Sequence, residues 1–236
     1  MKLLGKIVFA IICLIGITGY GRELYQLIYS FFSTPRLTLS FLSGLIIYLL
    51  MSVFIFKQRG EFWNILEHEL THALFALLFF KRVDSLSTKR DYGGEVVVHG
   101  SNFIITLSPY FFPLFTVLIL FIKPFMFTNI QWVLNFLLGF TLMFHLLHLF
   151  REFHISQPDI RRSGFIFSMI VVLFFNIVFI GLCLVSLKGG WREMGMFLSG
   201  GFQNSKIFAK EGWLLIEQSI FPFLKKIFNQ HIMGSS

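Results

Sequence analysis

Residues 62–80 read FWNILEHELTHALFALLFF, an apolar run interrupted by Asn64, Glu67, His68, Glu69, Thr71 and His72. A bilayer core of about 30 Å takes about 20 helical residues to cross, and this run has that length. An ionisable group at the centre of such a helix costs about 2.5–3.5 kcal/mol on insertion scales. Glu67, His68, Glu69 and His72 within one run therefore need a compensating role, and whether the run lies in lipid or in water decides the fold.

The rest of the chain answers for lipid. Of 236 residues, 56% are hydrophobic, 18% aromatic and only 14% charged, with Phe alone contributing 33; mean hydropathy is +0.75. Soluble chains average about 25% charged residues, so a water-soluble fold would lack polar side chains to cover its surface. The expected class is an all-α polytopic membrane protein of about six transmembrane helices, with a small membrane-surface β-hairpin and a C-terminal amphipathic helix. The spans are residues 7–20, 39–56, 62–80, 103–122 (with Pro109 and Pro113), 131–150 (with His145 and His148) and 165–187. Lys2 and Lys6 give the first run the flank of a signal peptide, but no small-x-small cleavage site follows, so it is read as a span.

Between the third and fourth spans, KRVDSLSTKRDYGGEVVVHGS (81–101) places β-branched residues on either side of Tyr92-Gly93-Gly94. Gly-Gly supplies the positive φ angles of a tight hairpin turn. REFHISQPDIRRSG (151–164) is polar with a central Pro158 and must interrupt the helices. Residues 1–188 thus form one integral domain and 189–230 a tail. Within the tail, 206–228 alternate apolar residues with Lys206, Lys210, Glu217, Lys225 and Lys226, the pattern of an interfacial helix lying on the membrane and broken near Pro222. Residues 231–236 resemble a vector-derived ending and carry no part of the reading.

The net charge of +8 comes from basic residues scattered between and beside the spans. They form no continuous stripe, so they read as lipid-headgroup and topology signals and not as a nucleic-acid surface. Cys13 and Cys183 both fall in apolar runs and read as small buried hydrophobes.

Within the third run, His68-Glu69-Leu70-Thr71-His72 is H-E-x-x-H. Histidines four apart on a helix share one face and can hold one metal ion. Glu69 projects about 100° around the helix from His68, within reach of a metal-activated water without being a ligand. Zinc lowers the pKa of such a water to about 7. Catalytic zinc usually keeps three protein ligands, and Asp159, His145, His148, His154 and His99 are all candidates for the third. Spacing leaves the choice open. Asp159 reaches the depth of His72 only if its Pro-containing segment folds back into the membrane.

HELTHAL, then a Gly-Gly hairpin, a Pro-containing span and a span ending in a Pro-Asp segment together resemble the site-2 protease family of intramembrane zinc metalloproteases, closest to its small bacterial members. The resemblance covers about residues 60–185. It implies zinc held by His68, His72 and Asp159 (within Gln157-Pro158-Asp159-Ile160), Glu69 as general base, a bacterial inner-membrane location, and a membrane-spanning helix of another protein as substrate. It also implies a hairpin dipping beside the active site, whose edge around 91–98 pairs with an unwound substrate, and a cytoplasmic hairpin and Asp159 segment. This places Lys2, Lys6, Lys57, Arg59 and Lys123 on the opposite side, and the basic count favours that orientation only until the tail is included.

The sequence departs from the family pattern at Ile160, where Gly is usual, at Leu149-Phe150-Arg151-Glu152, and in an intervening span that keeps only Ser108-Pro109-Tyr110 of a small-residue and Asn signature. Those departures motivate an alternative, a catalytically divergent membrane adaptor or regulator on the same scaffold. A proton-relay transporter is a third class, but such a relay has no need of the H-E-x-x-H spacing.

Overall fold

The computed structural model describes residues 3–31, 35–54, 60–89 and 93–220. It contains helices α1 (Leu3–Phe31), α2 (Pro35–Phe54) and α3 (Gly60–Leu78), strands β1 (Val83–Lys89) and β2 (Gly93–Val98), then α4 (Phe103–Phe111), α5 (Leu114–Ile122), α6 (Gln131–Glu152), α7 (Pro158–Ser163), α8 (Phe165–Ser186) and α9 (Trp191–Leu215). The chain is thus helical with one two-stranded antiparallel sheet. Gly93 and Gly94 pair with Lys89 and Thr88 inside the sheet. They therefore belong to β2, and the turn itself, 90–92, lies outside the described residues.

Three described helices are long and apolar enough to cross a membrane: α1, α6 with its leading turn from Thr128, and α8. The pair α4–α5, bent by 74°, makes a fourth if it is one crossing. The apolar stretch of α2 among the described residues is shorter, Thr38–Phe54. Length and apolarity therefore give three or four crossings where the hydropathy of the sequence suggests six. Leu50, Phe54, Ile166 and Leu173 are exposed on the outer helix faces, as hydrocarbon contact requires. Cys13 and Cys183 are free and buried.

The packing fixes helix directions. Phe9 meets Phe103 and Phe167 at ring distances of 5.0 and 6.4 Å, and Lys6 Nζ donates to the Ser163 carbonyl at 2.9 Å. The start of α1 therefore lies at the same end as the starts of α4 and α8, beside α7. This corrects the expected placement of Lys6 across the membrane from the Asp159 segment. The reason lies in α2 and α3. Tyr48 rings contact Phe140 and Phe144 and Gly44 abuts Phe136, so α2 runs parallel to α6 and finishes at the hairpin end. α4 begins at that same end, since its Phe103 meets Phe9 beside α7, so alternation from span to span fails between α2 and α4.

α9 begins well before the expected tail helix and runs antiparallel to α1. Lys188 Nζ reaches the Ser30 carbonyl at 2.9 Å, Tyr20 Oη donates to the Leu198 carbonyl at 3.0 Å, and Gly19 lies against Ser205. Met194, Phe197, Gly201 and Ser205 are buried in this contact. The first part of the expected surface tail is therefore packed into the bundle, while the break near Pro222 falls outside the described residues.

The α2–α6 crossing depends on two glycines. A Cβ on Gly139 would sit 2.0 Å from the Phe41 carbonyl oxygen, and one on Gly44 2.0 Å from that of Phe136. Small residues that let backbones touch are the usual device of helix pairing in lipid. Ordinary overpacking costs about 1–3 kcal/mol, and here the obstacle is backbone and cannot rotate away. Gly139→Leu is expected to exceed that cost and to lower the thermal midpoint in detergent by many degrees or abolish the folded peak on gel filtration. A wild-type midpoint would refute this account of the crossing.

Candidate metal centre

The site is assembled around the break between α4 and α5. Proline has no backbone N–H, so Pro109 leaves the Ile105 carbonyl four residues earlier without its helical donor. That carbonyl accepts from His72 Nδ1 at 2.8 Å and from Ser108 Oγ of α4 itself at 2.8 Å. Pro113 precedes α5, whose N-terminus has no side-chain cap of its own. Glu67 supplies one from α3: its carboxylate accepts from the backbone N–H of Phe115 at 3.3 Å and faces that of Leu114. On the far side, Asn176 Nδ2 of α8 donates to the Tyr110 carbonyl at 3.0 Å. The backbone groups orphaned by the break are thus taken up by side chains of α3, α4 and α8.

Glu67, which the sequence groups with the H-E-x-x-H cluster, therefore has a structural partner. Losing a helix cap costs about 0.5–2 kcal/mol. Glu67→Ala is expected to destabilise the protein by about that amount in a chemical or thermal unfolding assay while leaving its metal content unchanged. Loss of metal with unchanged stability would contradict the capping role.

The His72 hydrogen bond has a chemical consequence. With the Nδ1 proton given to Ile105, His72 Nε2 carries a lone pair, the tautomer a metal ligand needs. That nitrogen lies 3.2 Å from His68 Nε2 and 3.3 Å from Asp159 Oδ2, which is 3.6 Å from His68 Nε2. Two ligands at about 2.05 Å from zinc, separated by the tetrahedral angle, lie roughly 3.3 Å apart. The three atoms therefore describe one face of a zinc tetrahedron, and this is the metal-capable group of three among the described residues. Burial raises the Asp159 carboxyl, but the His68 and His72 imidazoles beside it outweigh burial and hold it below the usual carboxylate range.

Asp159 reaches the histidines without deep insertion. His72 is level with Ile105, in the first turn of α4, and His148, whose ring lies 6.1 Å from that of His68, is about 6 Å from the end of α6 at 1.5 Å per residue. Depth counted along α3 therefore overstates depth in the bundle.

The other candidates have other surroundings. His99 Nδ1 pairs with Asp84 at 2.7 Å, and Arg82 joins the same carboxylate. His154 Nδ1 meets Ser156 Oγ at 2.7 Å. His145 is buried beside Asn176 with neither ring nitrogen in hydrogen-bond geometry among the described residues. Glu69 is half-buried, and its carboxylate has no described partner.

A cleft of about 160 Å³ opens from the centre between His72, Val96, Val98, Ser101, Thr106 and Arg162, with Asp159 at its edge. The hairpin strand β2 thus forms one wall of the approach to the site. Asp159 is 27% exposed against 15% and 11% for His68 and His72, so water reaches the carboxylate. The involvement of Ile105 and Tyr110 was not read from the sequence; the available signal was Pro109, four residues after Ile105.

The chain matches no protein-family model, no curated protein and no solved structure.

Proposed function

We propose that this protein is a zinc-dependent intramembrane endopeptidase that hydrolyses peptide bonds in membrane-spanning segments of other proteins, as its resemblance to site-2 proteases implies. The observation that supports this most is the triangle of 3.2, 3.3 and 3.6 Å among His72 Nε2, His68 Nε2 and Asp159 Oδ2, on a helix whose intervening Glu69 has no described partner. Two imidazoles and one carboxylate suit zinc better than magnesium or calcium, which favour all-oxygen sets. When bound, zinc supplies a Lewis acid that acidifies a water and polarises a carbonyl.

The chain's own residues do the rest. His68, His72 and Asp159 hold the ion, and Ile105 fixes the His72 tautomer. Glu69 takes a proton from the attacking water and passes it to the amide nitrogen, so that one water is consumed and an acid and an amine leave. A helix in lipid hides its peptide bonds, and the wall formed by β2 offers an extended segment a strand to pair with. In this reading α1, α2, α4–α5, α6 and α8 cross the membrane.

The test uses purified full-length protein in lipid nanodiscs, incubated with a pool of single-span membrane peptides from the host and followed by mass spectrometry. New termini inside apolar segments, suppressed by 1,10-phenanthroline, are expected. A pool returned intact by zinc-loaded protein would count against a protease.

A further inference from the structure

Two buried polar side chains flank the metal centre without serving as ligands. Tyr110 is 1% exposed and His148 7%, and neither the Tyr110 hydroxyl nor His148 Nε2 makes a hydrogen bond to any described residue. An unpaired buried polar group costs about 1–3 kcal/mol, so two of them at one place call for a partner that arrives from outside the chain. Both surround the same ligand. The Tyr110 ring stands edge-on to His68 at 5.4 Å and 89°, and the His148 ring at 6.1 Å and 86°.

We infer that Tyr110 and His148 are the oxyanion-stabilising pair of this site, donating Oη–H and Nε2–H to the substrate carbonyl oxygen. The inference rests on the hydrolase reading above. When the water oxygen bonds to the carbonyl carbon, the C=O electron pair moves onto oxygen and the two donors meet that charge. As C=O re-forms, the C–N bond breaks and nitrogen takes the proton carried by Glu69. Donors fixed in a site shielded from water act where charge develops and need no reorganisation. They stand on α4 and α6.

The test reads ligand binding in cobalt-substituted full-length protein, by the visible absorption of the ion. Phenylphosphonate is the probe for a tetrahedral oxyanion, and benzenethiol, with the same ring but no oxyanion, is the control. Tyr110→Phe and His148→Gln are each expected to retain one cobalt per chain and to bind benzenethiol within about twofold of wild type. Each is expected to weaken phenylphosphonate roughly 10- to 150-fold, the effect of one hydrogen bond to a charged group. Phe153→Leu loosens the packing on the Tyr110 ring, 6.0 Å away, without removing a donor, and should bind phenylphosphonate as wild type does.

Unchanged phenylphosphonate affinity in either donor variant overturns that residue's role. So does an equal loss in Phe153→Leu, which would make the effect one of packing. A donor variant that loses cobalt is assigned to holding the ion or the fold, again against the proposal. Cobalt absent from the wild type would fell the hydrolase reading as well, and so distinguishes the two failures.

Discussion

Glu69→Gln is expected to reduce cleavage of membrane peptides by roughly 10²- to 10⁴-fold, the usual contribution of a positioned general base, with metal content unchanged. The amide keeps the shape and volume of the carboxylate but cannot accept the proton of water. Because Glu69 holds no described residue in place, the substitution removes a proton acceptor and little else. The rate measured in nanodiscs and the metal content of the same preparation decide together. Full activity in the variant would remove Glu69 from the chemistry, and an intact cellular phenotype would favour the divergent adaptor.

Asp159→Ala is expected to have the second large effect, on metal affinity. Its Oδ2 lies 3.6 and 3.3 Å from the two imidazole nitrogens, and without it a bound ion would keep two protein ligands. Removing an outer partner of a metal ligand costs about 10- to 100-fold in affinity, so removing a ligand should exceed that range. Competition with a chromophoric chelator measures it. Asp159→Asn, which keeps one oxygen but not the charge, should fall between the alanine variant and wild type. Wild-type affinity in Asp159→Ala would show that the third ligand lies elsewhere, with His148 the nearest alternative by its 6.1 Å ring distance to His68.

The membrane class and the histidine pair are legible in the sequence because both are local. Composition sets the first, and a spacing of four residues on one helix sets the second. Asp159 follows only from resemblance, while spacing leaves it one of five candidates, because a third ligand depends on how α7 folds against α3. Glu67 was equally opaque: its role depends on where the α5 N-terminus falls after the break at Pro113, and composition carries no trace of that. Pro109 did hold a signal, since a proline in a helix always orphans the carbonyl four residues back. What the sequence lacks is the identity of the distant side chain that joins Ser108 in collecting it, here His72. Orientation failed for a global reason, because counting charges across alternating spans assumes that every apolar run crosses, and α3 does not separate the ends of α2 and α4 in that way.

The proposed chemistry requires an ion at His68, His72 and Asp159, and this is open to direct measurement. Full-length protein purified without chelators and analysed by inductively coupled plasma mass spectrometry is expected to carry about one zinc per chain, lost in a His68→Ala, His72→Ala double variant. A wild-type preparation free of zinc that also fails to take it up on addition would contradict the account.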